Sequence, residues 1–177
     1  MSDIIHLDQY KRRQQAKQCF KFWNAQFRDS FDEATKVGDL PDNVLLFIAS
    51  PGEKSAGAVY QLIEQVKYPQ TRLEEKDVQK LEMDLMDVHL HLADIFRYEM
   101  MYRLGWIESY PKMDCPLLDL IEAIEPGTKD MFSNPPNLKS DHPQYAEFAK
   151  LIPREKELFI RKLFVNALIE FNKKVNK

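Results

Sequence analysis

Residues 81–103 read LEMDLMDVHLHLADIFRYEMMYR, and this run decides the fold class. At about 100° per residue, Leu81, Leu85, Val88, Leu92, Ile95 and Phe96 share one side of a helix. Asp84, Asp87, His91, Asp94, Tyr98 and Tyr102 share another, narrower face. Apolar residues recurring at spacings of three and four mark a helix that buries one side. The pattern extends from about Arg72 to Gly105, which makes this the longest helix expected.

Upstream, Phe20, Trp23, Phe27, Phe31 and Ala34 repeat the same spacing and predict one helix from Asp8 to Lys36, ended by Gly38. The run Val44 to Ala49 is apolar throughout, and periodicity alone fits a buried strand or a buried helix. No second segment offers a strand to pair with it, so a helix is expected. Another helix is expected from Pro51 to Lys67. Ser50-Pro51-Gly52-Glu53 and Thr71-Arg72-Leu73-Glu74 both read as capping boxes, the first with proline at the opening helical position. Asp114-Cys115-Pro116, Asp141-His142-Pro143 and Pro153 mark further starts.

Beyond Gly105 the chain is punctuated by prolines. A short helix from Pro116 to Glu125, a polar proline-rich loop over 126–142 and a short helix near Gln144 to Leu151 are expected. A loop of that length is expected to move or to serve recruitment. The last helix, Pro153 to Asn176, is apolar on most sides, with Leu158, Ile160, Leu163, Phe164, Val165, Leu168, Ile169 and Phe171. It is therefore expected to be largely buried and to pack centrally against the first and fourth helices. The expected fold is an all-α single domain spanning 1–177, a bundle of about six or seven helices.

Composition agrees. The chain has 177 residues, 44% of them hydrophobic and 11% aromatic, which suits one globular domain. A net charge of −3 gives no global attraction to nucleic acid or anionic membrane. The locally basic set Lys11, Arg12, Arg13, Lys17 and Lys21 has no recognition-helix context. The first twenty residues hold no signal-peptide apolar core, and no run approaches the about 18–20 apolar residues that a membrane-spanning helix needs. Two unpatterned cysteines, Cys19 and Cys115, suit a reducing compartment. The cytoplasm is the expected location.

Three polar residues interrupt the apolar side of the long helix: His89, Glu99 and Arg103. Glu99 and Arg103, four apart, are expected to form a partly buried ion pair. His89 is expected to be a satisfied core histidine. On the polar face, Asp84, Asp87 and His91 stand at one-turn spacing, where carboxylates can hold a hard divalent cation. The histidine would shift preference toward manganese, iron or zinc. The alternative is a solvated polar face.

The stretch Asp84-Leu85-Met86-Asp87 followed by Val88-His89-Leu90-His91-Leu92-Ala93-Asp94 resembles the second metal-binding helix of the all-α nucleotide pyrophosphatases, the MazG-like and phosphoribosyl-ATP pyrophosphatase group. The resemblance covers roughly residues 43–105. It implies a magnesium- or manganese-dependent nucleoside triphosphate pyrophosphohydrolase. Asp84, Asp87 and His91 would be metal ligands, Glu53 a ligand or water-orienting base, and Lys54 or Arg97 a phosphate contact. The sequence departs from that pattern in two places. Asp84 stands where the family has glutamate, and Ala56 stands where the first helix has its second glutamate. Glu64, Glu74 or His91 would have to substitute.

No nucleophile triad, zinc spacing or dinucleotide fingerprint is present. Ser50-Pro51-Gly52-Glu53-Lys54-Ser55 lacks the glycines of a phosphate loop. The first functional expectation is therefore a non-enzymatic helical protein, with no cofactor indicated by the sequence, that acts through protein contacts and associates with itself; magnesium or manganese enters only with the second. The pyrophosphohydrolase is the second.

Overall fold

The computed structural model describes residues 2–69, 75–127 and 135–177. Eight α-helices follow in order: α1 Ser2–Cys19, α2 Lys21–Phe27, α3 Asp42–Ala49, α4 Glu53–Lys67, α5 Glu75–Arg103, α6 Leu117–Ala123, α7 Tyr145–Ala149 and α8 Pro153–Val175. One 3-10 turn, Val37–Asp39, precedes α3. Two isolated bridges, Lys36 with Pro116 and Ile107 with Leu138, are the extended pairings among the described residues. The run Val44 to Ala49 is helical, as expected. No helix among the described residues is long and apolar enough to cross a membrane.

The centre of the bundle is the second half of α5. Leu92 to Phe96 and Tyr98 to Met101 are all buried. Helices α3, α4 and α8 pack around it. This corrects the expectation that the last helix is central and largely buried. Helix α8 buries one side, Ile160, Leu163, Phe164, Ala167 and Phe171, against α3 and α5. Phe159, Leu168 and Val175 are half-buried at its margins, and Leu158, Val165 and Ile169 face outward. An apolar count around a helix does not reveal whether neighbours exist on every side.

The first long helix is also corrected. It breaks at Phe20, whose ψ of 2° leaves the helical well, and it ends at Phe27, with Arg28 left-handed at φ 54°. Asn24 then brackets the returning chain: its Oδ1 accepts the Phe31 N–H at 2.8 Å and its Nδ2 donates to the Phe31 carbonyl at 3.3 Å. Phe31 thus reaches the Phe20 and Trp23 rings, at 5.7 and 6.2 Å between centroids, by a reversal and not by helical continuation.

The capping box expected at Ser50 does not form. Ser50 closes α3, its hydroxyl donating to the Leu46 carbonyl at 2.5 Å. Helix α4 opens instead at Gly52, whose φ of 147° suits glycine. The Ser55 hydroxyl donates to the Ser50 and Gly52 carbonyls. Pro153 does open α8, and Glu155 accepts the Ile152 N–H at 3.2 Å. The Thr71 capping box lies outside the described residues. So do residues 128–134 of the proline-rich loop. The rest of that loop is anchored: Leu138 is buried, Lys139 donates its N–H to the Trp106 carbonyl at 2.8 Å, and His142 sits edge-on to Trp106.

The C-terminal turn of α5 carries the polar heart of the fold. Glu99 is 2% exposed. Its Oε1 accepts from Arg103 Nε at 2.8 Å and its Oε2 from the Tyr110 hydroxyl at 2.5 Å. The other arms of Arg103 donate to Asp42 Oδ1 at 2.7 Å and to the Val37 and Gly38 carbonyls. The expected ion pair exists and joins α3, α5 and the 3-10 turn. Replacing one partner of such a pair leaves a buried charge alone, at a cost of about 3–5 kcal/mol. Arg103→Met is expected to lower unfolding free energy by about that amount. Tyr110→Phe is expected to cost about 1–2 kcal/mol in the same urea titration.

Candidate functional site

The acidic edge of α5 is held by a different neighbour at each turn. Asp84 is half-buried near the C-terminal end of α4, where its charge adds to burial in raising the pKa of the Tyr68 phenol. Asp87 Oδ2 accepts the N–H of Gly127 at 3.1 Å, which ties the turn after α6 to α5. Asp94 is buried and forms a two-pronged pair with Arg161 of α8, at 2.7 and 3.3 Å. Burial raises the Asp94 pKa even so, because the guanidinium offsets only part of the desolvation. Burial lowers the pKa of His91, against the opposing pull of Asp94 and Asp87. His89 is stacked on Tyr60, with centroids 4.8 Å apart, and burial followed by the Arg97 charge lowers its pKa.

The remaining expected site residues do not join this edge. Helices α4 and α5 run antiparallel, since Tyr60 meets His89 while Tyr68 lies near Asp84. Glu53 is 15 positions before Tyr68 on α4. At 1.5 Å per residue it stands about 20 Å along the helix from the level of Asp84. Glu53 and Lys54 are both exposed there. Arg97 lies over the Phe164 ring at 5.5 Å from its centroid, turned toward α8. Glu64 is exposed on α4, and Glu74 lies outside the described residues. Among the described residues, no group of three or more His, Cys, Asp or Glu side chains is placed to hold a metal ion.

A different feature emerges beside that edge. Met83, Met86 and Leu90 follow one another at spacings of three and four and are 47–64% exposed. On α8, Leu158, Val165 and Ile169 are 49–64% exposed. The two helices are parallel, because Asp94 meets Arg161 and the Arg103 carbonyl meets Lys174 Nζ. Leu90 precedes Asp94 by one turn and Leu158 precedes Arg161 by one turn, so these two come level beside the ion pair, with Met83 and Met86 continuing to one side of it and Val165 and Ile169 to the other. The signal was available in residues 81–103: Met83, Met86 and Leu90 belong to neither the apolar nor the acidic arc.

No family model, curated protein or solved structure matches this chain.

Two outcomes are expected. His89 and His91 have folded pKa values below their unfolded ones, so the unfolded state binds protons first. Their contribution to stability is present above the unfolded value of about 6.5 and is lost as pH falls through the depressed folded values. The urea midpoint is expected to drop between neutral pH and pH ~5, and less so in a His89→Phe/His91→Gln variant. Second, incubation with mixed nucleoside triphosphates and Mg²⁺ or Mn²⁺ is expected to release no pyrophosphate that Asp87→Ala abolishes.

Proposed function

We propose that this chain acts through protein contacts and pairs with a second copy of itself across the outer faces of α5 and α8. The observation that carries this reading is the pair of exposed apolar stripes on adjacent parallel helices. Scattered exposed apolar residues need no explanation, but aligned ones mark contact surfaces.

The charged rims favour a second copy as the occupant. Glu82 and Asp87, with Lys80, flank the α5 stripe. Arg154 and Lys162 flank the α8 stripe. A two-fold axis that sets α5 of one copy against α8 of the other matches acid to base twice and closes the assembly. Full burial of one such side chain contributes about 1.5–3 kcal/mol. Two copies of six half-exposed side chains can therefore offset association costs of about 4–15 kcal/mol. The proposed setting is the cytoplasm, where the free thiols Cys19 and Cys115 stay reduced.

A Mg²⁺- or Mn²⁺-dependent pyrophosphohydrolase is the less favoured reading, because Asp87 and Asp94 are each engaged separately and Glu53 lies at the far end of α4.

Sedimentation velocity tests the pairing. At about 10 μM, a concentration that populates complexes of micromolar affinity, the chain is expected to sediment as a dimer. Leu158→Glu/Val165→Glu, at two exposed positions, is expected to sediment as a monomer with unchanged helicity. A monomeric parent chain, or a variant that still dimerises, would overturn the reading.

A further inference from the structure

Helix α1 ends on the body of the protein and begins away from it. It runs antiparallel to α4, as Cys19 Sγ lies 3.7 Å from the Gln65 carbonyl and the Trp23 indole N–H donates to the Ala58 carbonyl at 2.9 Å. Helix α4 stops at Lys67, so only the last turn of α1 has α4 beside it. Ala16 and Cys19 are buried there, whereas residues 6–15 are all exposed. A polar helix with so few tertiary contacts is marginal in isolation when shorter than about 12–15 residues.

This overhang nevertheless carries a stripe. Leu7, Tyr10, Gln14 and Lys17 follow at spacings of three and four, which puts them on one face, and Leu7 and Tyr10 are 52% and 61% exposed. The stripe leads into a groove of about 720 Å³ between the end of α1 and the end of α4, lined by Gln14, Lys17, Lys21 and Gln65 among others. It continues along Phe22 and Gln61. Among the described residues, no acidic side chain lines either stretch. Gln61 contributes a buried Oε1 with no hydrogen-bond partner among the described residues.

We propose that the overhang and groove dock an acidic amphipathic helix from a partner protein. Its apolar edge covers Leu7, Tyr10 and Phe22, all of which stand in solvent in the free chain. Its glutamates or aspartates face Lys17 and Lys21. Helix-in-groove binding reads anchors at this spacing, and it gives α1 the neighbour that α4 is too short to supply. The surface is separate from the α5–α8 face and does not depend on self-association.

The test uses the full chain and a fluorescein-labelled amphipathic helical peptide with glutamates flanking an apolar stripe. Fluorescence anisotropy is expected to show saturable binding with a Kd of micromolar order, about −8 kcal/mol. Lys17→Glu/Lys21→Glu, at two exposed positions, is expected to weaken it at least roughly tenfold, about 1.4 kcal/mol. A lysine-flanked version of the peptide is expected to prefer that reversed variant over the parent chain, which shows that the variant is folded and the site intact. Leu7→Ser is expected to weaken both peptides. Absence of saturable binding, equal affinity for the reversed variant, or preference of the parent chain for a single-stranded oligonucleotide would overturn the proposal.

Discussion

A carboxylate almost wholly removed from water must be met by charge and by hydrogen bonds, or it is driven back into solvent. Glu99 is met on both oxygens, by Arg103 and by Tyr110. Arg103 then spends its remaining donors on Asp42 and on two carbonyls of the 3-10 turn. One planar fork therefore ties α3 and the 3-10 turn to the end of α5. Replacing arginine by lysine would keep the charge and lose the fork.

With its C-terminal half enclosed, α5 can act as the axle of the bundle, and α3, α4 and α8 each need to cover only one side of it. That division explains the surface. Helix α8 pairs with the axle through Asp94–Arg161 and the rings of Tyr98 and Phe164, and its far side is left to the solvent. Helix α1 touches the body through its last two turns, by the buried Ala16 and Cys19 and the exposed Arg13–Glu33 pair. Apolar residues on those unused sides, Val165 and Ile169 on one helix and Leu7 and Tyr10 on the other, have no role in the core. The two surfaces also differ in charge: the α5–α8 face mixes acidic and basic rims, whereas the groove beside α1 is lined by lysines and amides.

The acidic edge of α5 shows how a pattern on one helix can mislead. Asp84, Asp87, His91 and Asp94 share a face by arithmetic, but separate neighbours claim them. Gly127 takes Asp87 and Arg161 takes Asp94. Residues that look collective along the helix are individual in space. What makes a ligand set is the arrival of groups from other helices, and Glu53 is carried to the opposite end of α4 by the antiparallel packing.

The helical class, the long α5, the helical nature of Val44 to Ala49, the start at Pro153 and the Glu99–Arg103 pair were all legible in residue order. Each depends on spacings of three or four, or on proline's fixed φ, and these act within a single turn. The break at Phe20, the return of Phe31 through Asn24 and the loss of the Ser50 cap were not legible. They depend on contacts between residues distant in the chain or on a backbone angle that several residues can decline. The outward side of α8 was hidden for the same reason. Local order sets which residues share a face, whereas only the packing of whole helices decides whether a neighbour stands in front of it.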